Sequence, residues 1–314
     1  MKSAPPAISR RCFLGAAVPC LGTLLTSYLP NRSDITSLQF NKSDIEKLRN
    51  ELLQLVNAER VIAGVTALKL DQLACLVADQ HALDMATGNF VSHWGRDGRK
   101  PYQRYSLAGG TDAVAENVSA ASHVESTDFK FINLTLIQAH HRMHAEVPPN
   151  DGHRQTILAS QHTHVGFGVA LSGRELRFVE LYAAKYLQID PFPQMAKPKA
   201  SLQIKGKLLD RKHNFYYVEL FYEPPPQPPT AEFLKAPRPY GLPAEFRTLR
   251  PKLSAGTRYA DGIAGTIDVR GDGGFQIPVK LDREGAGIYT IVIWLNRKGS
   301  TQRFPVTNVC IQVE

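Results

Sequence analysis

Cysteine is scarce in this chain. Its 314 residues hold four, Cys12, Cys20, Cys75 and Cys310, and the first two fall in an N-terminal leader. The other two lie far apart in sequence, which argues against a disulfide framework and for buried free thiols. Also lacking is a Gly-x-Ser-x-Gly nucleophile elbow: neither Ser92 nor Ser160 sits in one, so an acyl-transferring serine has no recognisable setting. No nucleic-acid recognition motif is present, and no nucleic-acid partner is expected. The net charge is +8, but the basic residues are scattered, and losing Lys2, Arg10 and Arg11 with the leader leaves +5. A mildly basic, soluble surface is the plain reading.

Long apolar runs are missing as well. The charge-free stretch from Cys12 to Leu29 is short and rich in Gly, Ala and Pro, so export is expected over permanent spanning, with no stable membrane span in the mature protein. Ser9-Arg10-Arg11-Cys12-Phe13-Leu14-Gly15 resembles the twin-arginine signal of bacteria. That resemblance assigns residues 1–30 to an export signal and the mature protein to the periplasm, cell envelope or extracellular space. Pro19 before Cys20 speaks against a lipoprotein reading.

What is present divides into two patterns. Residues 40–190 read as helices first and strands last, an α+β domain. Ser43-Asp44-Ile45-Glu46 is a capping-box sequence, followed by Ile45, Leu48, Leu52, Leu55 and Val56 at helical spacing and Gly64 as a stop. Asp71 caps a second helix that ends near Gly88, and Phe131 to Glu146 predicts a third. Val165–Leu171 and Leu176–Leu187 predict strands around a Ser172-Gly173-Arg174 turn. Residues 191–199 form a proline-rich linker, expected to be stiff and extended.

From residue 200 to 314 the period becomes two. Strands are predicted at 202–208, 215–222, 263–269, 275–281, 288–295 and 306–313, with Asp272-Gly273-Gly274 as a hairpin turn. An antiparallel β-sandwich follows. The stretch 271–295 resembles immunoglobulin-like or fibronectin-like modules of bacterial surface proteins. Glu223 to Pro243 is rich in proline and reads as a solvated loop or, alternatively, as a polyproline ligand. No catalytic set is visible in this half.

Eight of the ten histidines lie between Gly88 and Gly168. His93 and His153 occupy loop-like settings, and Glu116 and Glu146 lie between them. Two imidazoles and two carboxylates are the ingredients of a small metal or acid/base site. His140 and His144 are four apart and share a helix face, a rival metal pair that reads more simply as partly buried or surface histidines. Trp94 is a candidate cleft wall.

The motifs arrive in a recognisable order. They are Val56-Asn57-Ala58-Glu59-Arg60, Asn89-Phe90-Val91-Ser92-His93, Asp97-Gly98-Arg99-Lys100-Pro101 with Arg104, Ala115-Glu116-Asn117-Val118, Gly152-His153-Arg154-Gln155-Thr156-Ile157-Leu158, and His164-Val165-Gly166-Phe167-Gly168-Val169. Over residues 43–187 the chain resembles the CAP superfamily: cysteine-rich secretory proteins, antigen 5 and plant pathogenesis-related class 1 proteins. The resemblance implies an αβα-layered domain with a small antiparallel sheet. It also implies a cleft lined by His93, Glu116, Glu146 and His153, although Met143 stands where the family has tryptophan before the second glutamate. His93 and His153 become candidate ligands for Zn2+ or another divalent metal, weakly bound for want of a third strong ligand. Glu116 and Glu146 become candidates for holding water or orienting the histidines. A small ligand, lipid, peptide or cell-wall fragment is the expected partner; a metal-assisted hydrolase and a structural surface protein are the alternatives.

Overall fold

A computed structural model describes residues 41–283 and 285–314. The export signal expected at 1–30 lies outside the described residues. The first helix, α1 (Lys42–Ile62), buries Ile45, Leu48, Leu52 and Val56 along one face. Its cap is Asn41, not Ser43: the Asn41 side chain accepts the Asp44 N–H at 2.9 Å. Asn and Ser are comparable caps, so capping propensity does not favour the expected Ser43 over Asn41. After β1 (Lys69–Leu70), Asp71 caps α2 (Gln72–Gly88) by accepting the Ala74 N–H. The elements α3 (Pro101–Leu107), β2 (Ala113–Ala121), α4 (Phe129–His144) and α5 (Gly152–Leu158) follow, and then the hairpin of β3 (His164–Ser172) and β4 (Glu175–Ala184). Gly173 supplies the left-handed backbone at the hairpin turn, with φ of 59°.

These strands form one sheet in the order β1-β3-β4-β2. Alternation along β3 and β4 sends Val165, Phe167, Phe178 and Tyr182 to one face, under α1, α4 and α5. Val179 and Leu181 point to the other face, under α2. The result is helix–sheet–helix layering, as the family resemblance implied. The helix α2 lies directly on the strand backbone. A methyl group added at Gly168 would meet the Ala78 carbonyl carbon at 2.0 Å, and one at Gly166 the Cys75 nitrogen at 2.2 Å. Glycine on the strand and alanine on the helix (Ala74, Ala78, Ala82) permit that approach.

The second half contains β5 (Leu187–Ile189), β6 (Met195–Ala196), β7 (Ser201–Leu208), β8 (His213–Glu223), α6 (Ala231–Lys235), β9 (Arg247–Leu249), β10 (Asp268–Val269), β11 (Gly274–Lys280), β12 (Gly287–Arg297), β13 (Arg303–Pro305) and β14 (Val309–Val313). One sheet runs β10-β11-β7-β5, the other β6-β14-β12-β8-β9, with β13 on β12. They face each other across a single core that includes Ile204, Phe275 and Ile277 from one sheet and Val218, Ile291 and Ile311 from the other. This is the expected sandwich. Of the predicted 263–269 strand only Asp268–Val269 joins a sheet, and Ile267 makes an isolated bridge to Pro251. Gly265, with φ of 79° and the Pro251 carbonyl against its Cα, bends the remainder. The stretch 191–199 carries β6, which pairs with β14, so it is stitched into the sandwich.

The two halves are docked. Ala113 N–H donates to Val306 O, Val114 N–H to Asn308 Oδ1 and Cys310 N–H to Ser106 Oγ, all within 3.0 Å. Tyr102, Ile288 and Cys310 are buried together at this junction. Cys75 and Cys310 are both buried and free, and burial raises both thiols, to about 11 and about 12. Among the described residues no helix is long and apolar enough to cross a membrane.

Candidate functional site

Strand β2 organises the site, because its period of two sends adjacent side chains to opposite faces. Glu116 points to the α2 face. There its Oε1 lies 3.0 Å from His93 Nδ1 and its Oε2 accepts Arg104 Nη2 at 2.7 Å. His93 stands in the loop after α2, and Arg104 on α3 also holds that loop by donating to the carbonyls of His93 and Arg99. His81 of α2 lies behind, 3.8 Å from Glu116. A carboxylate only accepts, so His93 Nδ1 carries the hydrogen, and in the neutral ring Nε2 keeps its lone pair.

Burial alone would raise the Glu116 carboxyl, but the charge of Arg104 and the neighbouring His81 and His93 outweigh it and hold the group at about 2. Glu116 is therefore an ionised, fully committed anion, with its side chain 1% exposed. Burial and the Arg104 charge lower His81 to about 4. His81 stays neutral and donates from Nε2 to the Ser92 carbonyl at 2.7 Å.

Asn117 points to the other face. Its amide donates to His153 O at 3.2 Å and to Glu180 Oε2 at 3.1 Å. His153 is the second residue of α5, and its Nδ1 lies 2.5 Å from Glu146 Oε1; Glu146 Oε2 also accepts the His153 backbone N–H. The four residues read from the sequence form two separate imidazole–carboxylate pairs, His93–Glu116 and His153–Glu146, linked through the Glu116-Asn117 dipeptide and lying to either side of the sheet's end strand. Among the described residues no three His, Cys, Asp or Glu side chains are arranged to hold a metal ion. His153, at 36% side-chain exposure, is more open than His93 at 17%.

His140 departs from the sequence reading. It is fully buried, with Nδ1 2.6 Å from Glu180 and Nε2 2.7 Å from Glu59. Burial opposes a charged ring, but the two carboxylates prevail and raise His140 to about 10. It is the cation of an internal ion triad. Glu59 also faces His141 and His144 at 3.2 and 3.5 Å. The acids that the local spacing around His140 does not show come from α1 and β4.

Residues from the second half complete the surroundings, and the sequence reading missed them. The Tyr240 hydroxyl accepts the Glu116 backbone N–H at 2.9 Å, and its ring centroid lies 4.7 Å from that of His93. Phe233 of α6 packs edge-on against Trp94, and Leu234 is buried in the α2-side core. The proline-rich stretch is therefore not a free solvated loop, because its later part is docked. An aromatic embedded among prolines was the available signal. Two cavities flank this strap. One of about 230 Å³ is lined by Tyr102, Val114, Tyr240, Leu242 and Trp294, among others. The other, of about 650 Å³, lies by Trp94, Lys100 and Phe233.

Comparison with known proteins matches residues 53–182 to the model of the cysteine-rich secretory protein family, CAP. No curated protein matches the chain. Among solved structures, an extracellular protein containing an SCP domain from Bacillus anthracis is similar at 21% identity and a TM-score of 0.34 over 45% of this chain; the chain spans 41% of that protein's length. An outer surface protein from Borrelia burgdorferi is similar at 15% identity and 0.35, over 45% of this chain and 92% of its own. The CAP domain of enterococcal PrgA gives 12% and 0.32, over 48% and 65%.

Proposed function

We propose, from the CAP domain at residues 53–182, that this is an exported binding module whose His93/Glu116/Glu146/His153 cleft holds a divalent cation such as Zn2+ weakly, together with a small ligand: a lipid, a peptide or a cell-wall fragment. The observation that carries the reading is the hydrogen bonding of the two imidazoles. Each is fixed at Nδ1 by a carboxylate, which leaves Nε2 as the free ligating atom. Carboxylates commonly orient metal-bound histidines in this way. His93 and His153 would hold the ion, and water or the bound group would fill the remaining positions. A bound cation would polarise whatever oxygen reaches it.

A hydrolase is less well supported. A general base works best with a pKa near the operating pH, and Glu116 at about 2 is locked to Arg104. Glu146 is more open, but both its oxygens already serve His153. Export rests on the leader, with the paired Arg10 and Arg11 ahead of an apolar run. The sandwich of residues 200–314 is read as an immunoglobulin-like module that acts with the first domain.

Equilibrium dialysis of the purified exported protein against Zn2+ tests the proposal. One exchangeable ion per chain is expected, lost in both His93→Ala and His153→Ala. A wild-type protein that retains no ion above buffer would overturn it.

A further inference from the structure

The second domain reaches the site through one strap. Among the described residues, strand β2 ends its sheet, with β4 as its one strand neighbour. The N–H groups of an end strand need partners from outside the sheet. The second half supplies them: Val306 to Ala113, Asn308 to Val114 and the Tyr240 hydroxyl to Glu116. The Tyr240 contact differs from the others because the same side chain also covers the His93 ring.

The strap is anchored on both sides of Tyr240. Before it, Phe233 meets Trp94 and Leu234 enters the first domain's core. After it, Lys100 donates to Gly241 O at 2.9 Å and pairs with Glu223, whose other oxygen accepts the Tyr102 hydroxyl at 2.6 Å. Gly98, with φ of 80°, lies so close to the strap that an added methyl would meet Gln227 O at 2.2 Å. These contacts fix the Tyr240 ring and hydroxyl, and they connect to His93 and Glu116 in two independent ways.

We propose that Tyr240 is a positioning residue of the His93–Glu116 pair, so that the second domain supplies one wall of the first domain's site. Its hydroxyl fixes the strand at Glu116, and its ring limits the approach to His93. The wall narrows the His93 side, leaving the more exposed His153 as the side from which a ligand enters. The ligand-binding consequence rests on the function proposed above; the geometric claim does not.

The test uses the full exported chain with Tyr240→Ala and Tyr240→Phe. Three quantities are read: carbethoxylation of His93 and His153 by diethyl pyrocarbonate, amide hydrogen exchange at Glu116, and affinity for Zn2+ alone. In Tyr240→Ala, His93 modification rises about tenfold while His153 is unchanged, and Zn2+ binds about tenfold more weakly, the usual cost of losing an outer positioning contact. In Tyr240→Phe the ring remains, so His93 reacts at the wild-type rate. Glu116 exchange then rises about tenfold, as one lost hydrogen bond gives. If Tyr240→Ala does not fold, Tyr240→Phe alone decides through Glu116 exchange. Unchanged Glu116 exchange in Tyr240→Phe, or unchanged His93 reactivity in a folded Tyr240→Ala, overturns the proposal. A wild type that binds no Zn2+ sinks the metal reading but leaves the reactivity and exchange results to decide the role of Tyr240.

Discussion

Glu116 and Asn117 are neighbours on one strand, yet they serve opposite faces of the sheet. Glu116 holds the His93 ring, while Asn117 holds the His153 carbonyl and the buried Glu180. The dipeptide is the covalent link between the two halves of the site. Asn117→Ala should leave the His93–Glu116 pair intact and loosen α5 at His153. Removing one of the two donors to the buried Glu180 oxygen, with the Tyr182 hydroxyl remaining, should cost about 1–3 kcal/mol in stability, as for a hydrogen bond to a charged group. Urea unfolding measures the stability, and carbethoxylation, faster at His153 and unchanged at His93, measures the loosening. Equal acceleration at both histidines would contradict the division of labour.

The contact of α2 with β3 is set by Gly166 and Gly168. Gly168→Ala forces a methyl into the Ala78 backbone, where no flexible side chain can move aside. A loss of about 2–3 kcal/mol is expected, in the range of overpacked cores, and thermal or urea unfolding reads it. Gly152→Ala, at a position with open space around the missing Cβ, is the control and should cost much less.

Two buried histidines give opposite pH dependences. His140 rises from its usual value near 6.5 to about 10. Its contribution is complete below 6.5 and is lost as pH climbs towards 10. Burial, reinforced by the Arg60 charge, lowers His162 to about 4. The unfolded chain then takes up a proton that the folded one refuses, so stability falls as pH drops from 6.5 towards 4. Melting temperatures across pH 4 to 10 check both signs. The advantage of wild type over His140→Gln should shrink on the alkaline side, and the acid-side decline should flatten in His162→Asn. An alkaline gain for wild type relative to His140→Gln would contradict the triad's charge state.

The paired Arg10 and Arg11 give a prediction of their own. If the paired arginines direct export, Arg10→Lys with Arg11→Lys should retain the protein in the cytoplasm, and fractionation followed by immunoblotting reads the outcome. Undiminished export would leave the apolar run as an ordinary secretory signal.

Much of the first domain was legible because its signals are local. The α1 stripe, the Asp71 cap and the Gly173 turn each occupy one short window. Strand β2 was not read, since Ala113–Ala121 carries polar residues on both faces and gains its strand character by pairing with β4. The same non-locality hid the acids of His140, which come from α1 and β4, and the docking of Tyr240 against Glu116. The four site residues were named through a family resemblance. Their arrangement as two pairs across a strand was beyond reach of sequence, because facing depends on the register of β2.

The central claim is that His93 and His153 serve one ion, although they belong to separate imidazole–carboxylate pairs. A double-mutant cycle on Zn2+ affinity, measured by calorimetry for wild type, His93→Ala, His153→Ala and the double variant, tests it directly. The shared-ion account predicts that the double variant binds no more weakly than the worse single one, with a coupling well above the ~0.5 kcal/mol scatter of independent sites. Strictly additive losses, or a full ion retained by either single variant, would contradict it.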